Sequence, residues 1–139
     1  MTFSEVYSVR LYGTDYGMTI LKVLLDKSET NAAIYVDIRR YVKPEGFCYQ
    51  KPTEEAIRYT ANDFLKLIEP TVNGESLEFE VEDRKIEIVS SPLLEFGLTE
   101  KDGKKICFQF NNFETIGFKE EINEVKEFLS TIMNEYNCA

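Results

Sequence analysis

The feature that most constrains the fold is an order of segments that occurs twice: four stretches of alternating apolar and polar residues, then a stretch with helical periodicity. A period of two is typical of half-buried strands, because successive side chains point to opposite faces of a sheet. The predicted strands are 6–12, 18–26, 33–42, 56–59, 76–82, 85–89, 94–98 and 106–110, with a polar turn at 27–31. The predicted helices are 62–68 and 119–135.

Both predicted helices have an apolar stripe that would face a sheet. In the first, Thr60 is placed to cap the N-terminus, and Pro70 is expected to end the helix. In the second, Ile122, Val125 and Leu129 follow the spacing of one helical face. These stripes indicate that each helix packs on the strands before it.

The chain is therefore predicted to belong to the α+β class, as one domain of two tandem ββββα units with antiparallel sheets. The first unit covers about residues 5–72 and the second about 73–139. Both halves pass from strand to helix through a similar run, at 57–60 and at 116–119. The alternative is a single α+β sheet without true repetition, and internal identity is too low to separate the two.

Length and composition restrict the class of protein. The 139 residues fit one domain, and 43% hydrophobic residues suffice for a packed core. No apolar run reaches the ~20 residues needed to span a bilayer, and the first residues do not form a secretory leader. We expect no membrane partner and an intracellular location, in the nucleus if the organism is a eukaryote.

The content of reactive residues argues against catalysis. The chain has no histidine, so the usual general base of serine and cysteine nucleophiles is missing. Cys48, Cys107 and Cys138 are widely spaced and form no Cys-x-x-Cys pair. We expect a non-enzymatic protein with no metal site and no cofactor.

The net charge of −9 is unevenly distributed. Residues 1–72 contain 9 Lys and Arg against 10 Asp and Glu, whereas residues 73–139 contain 7 against 15. A nucleic-acid-binding face must be locally basic, so only the first half is expected to supply one. The second predicted sheet would repel phosphate through glutamates at outward positions: Glu78, Glu80, Glu82, Glu87 and Glu95.

Two stretches of the first half carry a resemblance to a known family. Residues 34–41 read Ile-Tyr-Val-Asp-Ile-Arg-Arg-Tyr, a Pro-Glu-Gly loop follows at 44–46, and a Lys-Pro segment opens the stretch 51–67. In order and spacing, residues 34–67 resemble the transcriptional coactivator family of positive cofactor four. Whirly and PUR-repeat proteins are similar to it in having the ββββα architecture.

The resemblance implies curved sheets backed by helices, and single-stranded DNA bound along the concave sheet in support of transcription. Since family members act as dimers, a tandem chain resembles a dimer fused into one polypeptide. This implies a monomer whose two helices pack together, rather than an obligate dimer. The outer hydrophobic residues Ile20 and Leu24 leave association with another chain open.

The resemblance also selects candidate residues for binding nucleic acid. Single strands are held by Lys and Arg on phosphates and by aromatic rings that stack on bases. The candidates are Lys22, Tyr35, Arg39, Arg40, Tyr41, Lys43, Lys51 and Arg58. The chain departs from the family at Val42, where an aromatic is usual, and at Glu54-Glu55, where basic residues are usual. Binding of single-stranded DNA or RNA is therefore expected to be weak.

Two functions remain open at this point. One is a single-stranded nucleic-acid-binding protein that works through the first unit. The other is a protein-interaction module that has lost DNA binding and recruits a basic protein to its acidic second sheet. The candidate cations could also be ordinary solubilising charges on a half-exposed sheet.

Overall fold

The polypeptide forms two successive ββββα units, as the alternation predicted. The computed structural model describes residues 3–27 and 32–136, so residues 28–31 of the predicted turn and Cys138 lie outside the described residues. The first unit contains β1 (Phe3–Gly13), β2 (Gly17–Asp26), β3 (Ala33–Val42), β4 (Lys51–Thr60) and α1 (Ala61–Val72). The second contains β5 (Leu77–Val81), β6 (Arg84–Val89), β7 (Glu95–Thr99), β8 (Lys105–Gln109) and α2 (Asn112–Glu135).

The first sheet is antiparallel in the order β1-β2-β3-β4, and its register separates two faces. Leu21 lies opposite Ile38, which lies opposite Ile57, and these three buried side chains belong to the inner face. The outer face of the first sheet carries the polar and aromatic residues that alternate with them: Lys22, Tyr35, Asp37, Arg39, Tyr41 and Arg58. The alternation along β3 therefore separates the two faces, with Ile34, Val36 and Ile38 inside and Tyr35, Asp37, Arg39 and Tyr41 outside.

The second sheet is also antiparallel, in the order β5-β6-β7-β8, with Ile88, Phe96 and Phe108 buried in one row. Its outer face carries Glu78, Glu80, Glu87, Glu95, Lys85 and Lys105. Lys85 pairs with Glu78 at 2.8 Å and Lys105 with Glu87 at 3.0 Å, so part of the predicted negative charge is neutralised. Glu82 was wrongly predicted on a strand. It lies in the β5–β6 turn with a φ of 51°.

Helix α1 begins as predicted but does not end at Pro70. The Thr60 side chain accepts a hydrogen bond from the Asp63 N–H at 3.3 Å, which caps the first turn. Pro70 lies inside the helix, which continues to Val72. A proline lacks the N–H for one bond of the helix ladder, and its ring crowds the carbonyl four residues earlier. The helix nevertheless continues: the Asn73 N–H donates to the Glu69 carbonyl at 3.0 Å, and the Thr71 hydroxyl donates to the Leu67 carbonyl at 2.6 Å.

Helix α2 begins at Asn112, well before the predicted start at 119. Asn111 and Glu114 form a reciprocal capping box: the Glu114 N–H donates to Asn111 Oδ1 at 2.8 Å, and the Asn111 N–H donates to Glu114 Oε1 at 2.9 Å. The run 116–119 thus belongs to the helix, not to the strand–helix junction that its likeness to 57–60 suggested. Within the described residues, no helix is both long enough and apolar enough to cross a lipid bilayer.

Both helices and both sheets contribute to one core. Phe118 of α2 lies 6.2 Å from Phe64 of α1 and 5.6 Å from Phe96 of β7, measured between ring centroids. The Tyr59 hydroxyl of β4 donates to the Gly97 carbonyl at 2.9 Å. Because one core spans the two units, each unit covers apolar surface of the other.

Helix α2 crosses β1 at a point with no space for a side chain. A Cβ at position 117 would lie 1.7 Å from the carbonyl oxygen of Leu11. Gly117 therefore sets the distance at which α2 packs on the first sheet. Its position in a helix is explained by this contact rather than by a need for unusual dihedral angles.

We expect Gly117→Ala to lower the free energy of unfolding by about 2 kcal/mol or more, because the helix must move away from β1. A helical Gly→Ala exchange without a clash would instead raise stability by roughly 1 kcal/mol. Chemical denaturation measures the difference, with Ser130→Ala on the exposed side of α2 as the control. A stabilised Gly117→Ala protein would contradict the close approach.

Candidate nucleic-acid interface

The centre of the outer face of the first sheet is an ion cluster around Asp37. Its buried carboxylate lies 3.3 Å from the Arg39 guanidinium and 3.1 Å from that of Arg58. Arg39 also donates to the Thr53 carbonyl at 2.7 Å. Because one carboxylate is shared by two arginines, the cluster keeps a net positive charge, and a guanidinium has more N–H donors than these contacts use.

Lys22 lies on the adjacent strand and completes the basic row. Its ammonium lies 2.8 Å from the Glu5 carboxylate and 5.1 Å from the centroid of the Tyr41 ring. Burial alone would lower the pKa of Lys22, but its hydrogen bonds with Glu5 and Tyr41 outweigh burial and raise the pKa. Lys22 is therefore charged at neutral pH, although Glu5 offsets that charge.

Aromatic rings lie beside these cations. Tyr35 packs edge-to-face against Phe3, with ring centroids 5.6 Å apart, and the Arg58 guanidinium lies 4.8 Å from the centroid of Phe3. Such contacts hold a guanidinium group beside an aromatic ring. Tyr35, Tyr41 and Phe3 thus provide aromatic surface next to Lys22, Arg39 and Arg58, the combination that binds single strands.

Arg40 is the one candidate on the other side of the sheet. It lies opposite Thr19 in the register, on the inner face, and its guanidinium is 2.8 Å from Glu114 and 2.7 Å from Glu55. It also stacks on the Phe108 ring, 4.4 Å from the centroid. Arg40 therefore joins the first unit to the second, and its alternation with Arg39 and Tyr41 already indicated this face.

Glu114 is the buried partner of Arg40, with 1% of its side chain exposed. Burial alone would raise its pKa. Hydrogen bonds from the Arg40 guanidinium, the Thr19 hydroxyl and the Asn111 N–H outweigh burial and hold the pKa below its ordinary value of 4.5. A charged carboxylate is thus stabilised at the junction of the two units.

A groove of about 1150 Å³ runs along β4 from the outer face of the first sheet to the turns of the second. Five basic and four acidic side chains line it. The basic ones are Arg39, Arg58, Arg84, Lys101 and Lys104, and the acidic ones are Asp37, Glu54, Glu82 and Glu100. Tyr35 also lines the groove, so an aromatic ring and cations share one concave surface.

The second unit thus contributes basic residues that the sequence reasoning missed. Lys101 and Lys104 lie in the β7–β8 turn, and Arg84 begins β6, 3.3 Å from Asp63 in an ion pair without hydrogen-bond geometry. The signal was the run Lys101-Asp102-Gly103-Lys104-Lys105, three lysines at a turn and the start of the next strand. Its position beside β4 depends on how the units pack, which one segment does not reveal.

Lys43 and Lys51 lie apart from the groove, at the two ends of the β3–β4 connection. Lys43 is exposed, and its N–H donates to the Tyr16 carbonyl at 2.8 Å. The Lys51 ammonium lies 4.0 Å from the centroid of Phe47. The structure therefore places most candidates on the outer face, these two at its loop end, and Arg40 behind the sheet.

Comparisons with known proteins add no family assignment. No family model matches the chain, and no curated protein matches it. The resemblance to the family of positive cofactor four thus stays a prediction, while the two ββββα units are a property of the structure itself.

The depressed pKa of Glu114 makes stability depend on pH. A carboxyl whose pKa is lower in the folded state contributes stability that is fully present above its unfolded value and lost as the pH falls through the folded value. We therefore expect Glu114→Gln to reduce stability at neutral pH, and the gap between wild type and variant to narrow as the pH falls below about 4.5.

Urea denaturation at several pH values measures this gap, with Glu120→Gln on the exposed side of α2 as the control. The control carries the same chemical change without the buried partners. A gap between wild type and Glu114→Gln that stays constant from neutral to acid pH would show that Glu114 does not titrate in the expected way.

Proposed function

We propose that this protein binds single-stranded nucleic acid in the groove along β4 and the adjoining outer face of the first sheet. The observation that carries the proposal is the excess of basic over acidic side chains in the groove, in a chain whose net charge is −9. A local basic surface on an acidic protein is the electrostatic condition for contact with phosphates.

The side chains suit an unpaired strand better than a duplex. Tyr35 and Tyr41 offer ring surface on which bases can stack, and base stacking on aromatic rings tolerates any sequence. Arg39, Arg58 and the turn lysines would contact phosphates, which fix the position of a strand without reading its bases. We propose a role in transcription or replication, like that of the family that residues 34–67 resemble.

Binding is expected to be weak because acidic side chains share the groove. Asp37 forms ion pairs with both Arg39 and Arg58, which offsets part of their positive charge. Glu54 lines the groove beside them. Glu55 is different: it is paired with Arg40 on the other side of the sheet. The two glutamates that replace basic residues of the family therefore have unequal effects, and Glu54 is the one that opposes a phosphate.

The second candidate function is a protein-interaction module. Glu78, Glu80, Glu87 and Glu95 share the outer face of the second sheet, and two lysines neutralise part of their charge. A basic protein partner would meet this face by charge complementarity. We treat this function as the alternative, because the negative charge of this face is smaller than the sequence suggested.

Two further properties belong to the proposal. We propose an intracellular location, nuclear in a eukaryote, where a transcription or replication protein acts. We also propose that one chain is the working unit, because the fused arrangement of two ββββα units takes the place of a dimer. Phe64 and Phe118 already bring α1 and α2 together within one polypeptide.

The location of the site can be tested with a labelled single-stranded oligonucleotide and fluorescence anisotropy at low salt. We expect Arg39→Ala to weaken binding by about tenfold, which corresponds to the loss of one hydrogen bond to a charged group. The factor should be the same for different oligonucleotide sequences, because a phosphate contact does not read bases. Asp37 keeps Arg58 as a partner in this variant, so the fold should survive. The salt dependence should be shallow, with a log–log slope of about −0.7 for each neutralised phosphate.

A pair of variants with equal charge change separates the groove from the rest of the surface. We expect Glu54→Lys to strengthen binding several-fold, because Glu54 lines the groove, and Glu80→Lys on the second sheet to change it little. Equal gains in both variants would mean that only net charge matters. If the wild type binds no oligonucleotide at low salt, the protein-interaction function is favoured.

The oligomeric state is a separate prediction. Because the two units share one core within the chain, we expect a monomer of 16.1 kDa in light scattering at micromolar concentration. Dilution should not change the mass. An obligate dimer would contradict the fused-dimer interpretation and would leave the ββββα fold unaffected.

A further inference from the structure

A second group of aromatic and basic side chains lies in the loops at one end of the first sheet. Tyr16 in the β1–β2 turn is 80% exposed, and Phe47 and Tyr49 in the β3–β4 loop are 40% and 55% exposed. The hydrogen bond from Lys43 N–H to the Tyr16 carbonyl holds the two loops side by side. We refer to Tyr16, Lys43, Phe47, Tyr49 and Lys51 as the loop platform.

The Lys51 ammonium of the loop platform lies against two aromatic rings. The Lys51 ammonium is 4.0 Å from the centroid of Phe47 and 5.8 Å from that of Tyr49, and the two rings are 5.5 Å apart at an angle of 83°. A cation over a ring keeps its full charge for an anion. The Phe47 N–H donates to the Pro44 carbonyl at 3.1 Å, which holds the turn that presents the ring.

The loop platform adjoins the loop end of the first sheet. Tyr41, the last outer residue of β3, lies opposite Pro52, and the next pair, Val42 and Lys51, alternates to the other face beside the β3–β4 loop. With about 3.3 Å per residue, the row from Tyr35 to Tyr41 spans roughly 20 Å along β3. A single strand that follows β3 away from the groove therefore arrives at the loop that carries Phe47 and Tyr49.

We propose that the loop platform is a base-stacking extension of the nucleic-acid site, in which unpaired bases stack on Tyr49, Phe47 and Tyr16 while Lys43 and Lys51 contact phosphates. This inference rests on the proposed function. Exposed rings beside lysines suit an unpaired strand, because every base has a stacking face and every linkage a charge. The platform thereby supplies the stacking surface that Val42 does not.

The inference can be tested with two thymidine homopolymers: a short one that covers only the groove, and a longer one that reaches past Tyr41. Loss of one base stack weakens binding by about 5- to 150-fold. We expect Tyr49→Ala and Phe47→Ala to weaken binding of the long homopolymer by a factor within that range. The effect should be smaller for Phe47, which is partly covered. Binding of the short homopolymer should be unchanged in both variants. Phe113→Ala is the control, because Phe113 is 62% exposed and stacks on Tyr12 from the helical side.

Photocross-linking gives a second, direct measurement. A homopolymer containing 5-iodouracil should attach to the peptide that contains Phe47 and Tyr49. If Arg39→Ala weakens binding while Tyr49→Ala and Phe47→Ala bind both homopolymers like wild type, the loop platform is refuted and the groove remains. If the wild type binds neither homopolymer at low salt, the proposed function and the loop platform fail together.

Discussion

The carboxylate of Glu114 is buried where the two units meet, and its partners come from both of them. The Asn111 N–H belongs to the same helix cap, whereas the Arg40 guanidinium and the Thr19 hydroxyl belong to the first sheet. A buried charge without such partners would cost several kcal/mol. Assembly of the units is therefore coupled to the capping of α2, and the Arg40 guanidinium is held at this junction.

Because Arg40 is held at the junction, other basic side chains must provide the charge for a ligand. Arg40 is shared by Glu114 and Glu55 behind the sheet, so the positive charge of the outer face depends on how Arg39 and Arg58 share Asp37. One carboxylate against two guanidinium groups leaves a positive excess on this face. The β7–β8 turn adds two lysines at the other side of the groove. The basic surface is thus a joint product of both units.

Periodicity predicted the number, order and facing of the strands, because alternation at Leu21, Val36 or Phe96 reflects burial directly. It misjudged both helix ends. The run 116–119 resembled a strand–helix junction, although it lies inside α2, where Gly117 is required by the approach of the helix to the Leu11 carbonyl. Pro70 was expected to end α1, although the helix continues to Val72. The approach of α2 to β1 joins distant segments of the chain, so a local pattern does not contain it.

The candidate site also has one part that the sequence predicts and another that depends on how the chain folds. The outward facing of Tyr35, Arg39 and Tyr41 follows from strand periodicity alone, whereas the turn lysines reach the groove only through the packing of β8 beside β4. Once they are there, the acidic remainder of the chain has a physical consequence. Under the proposed function, negative potential elsewhere would repel a phosphate backbone and direct it to the groove. The net charge of −9 would then oppose non-specific contact and favour a single path for a strand, at the cost of affinity.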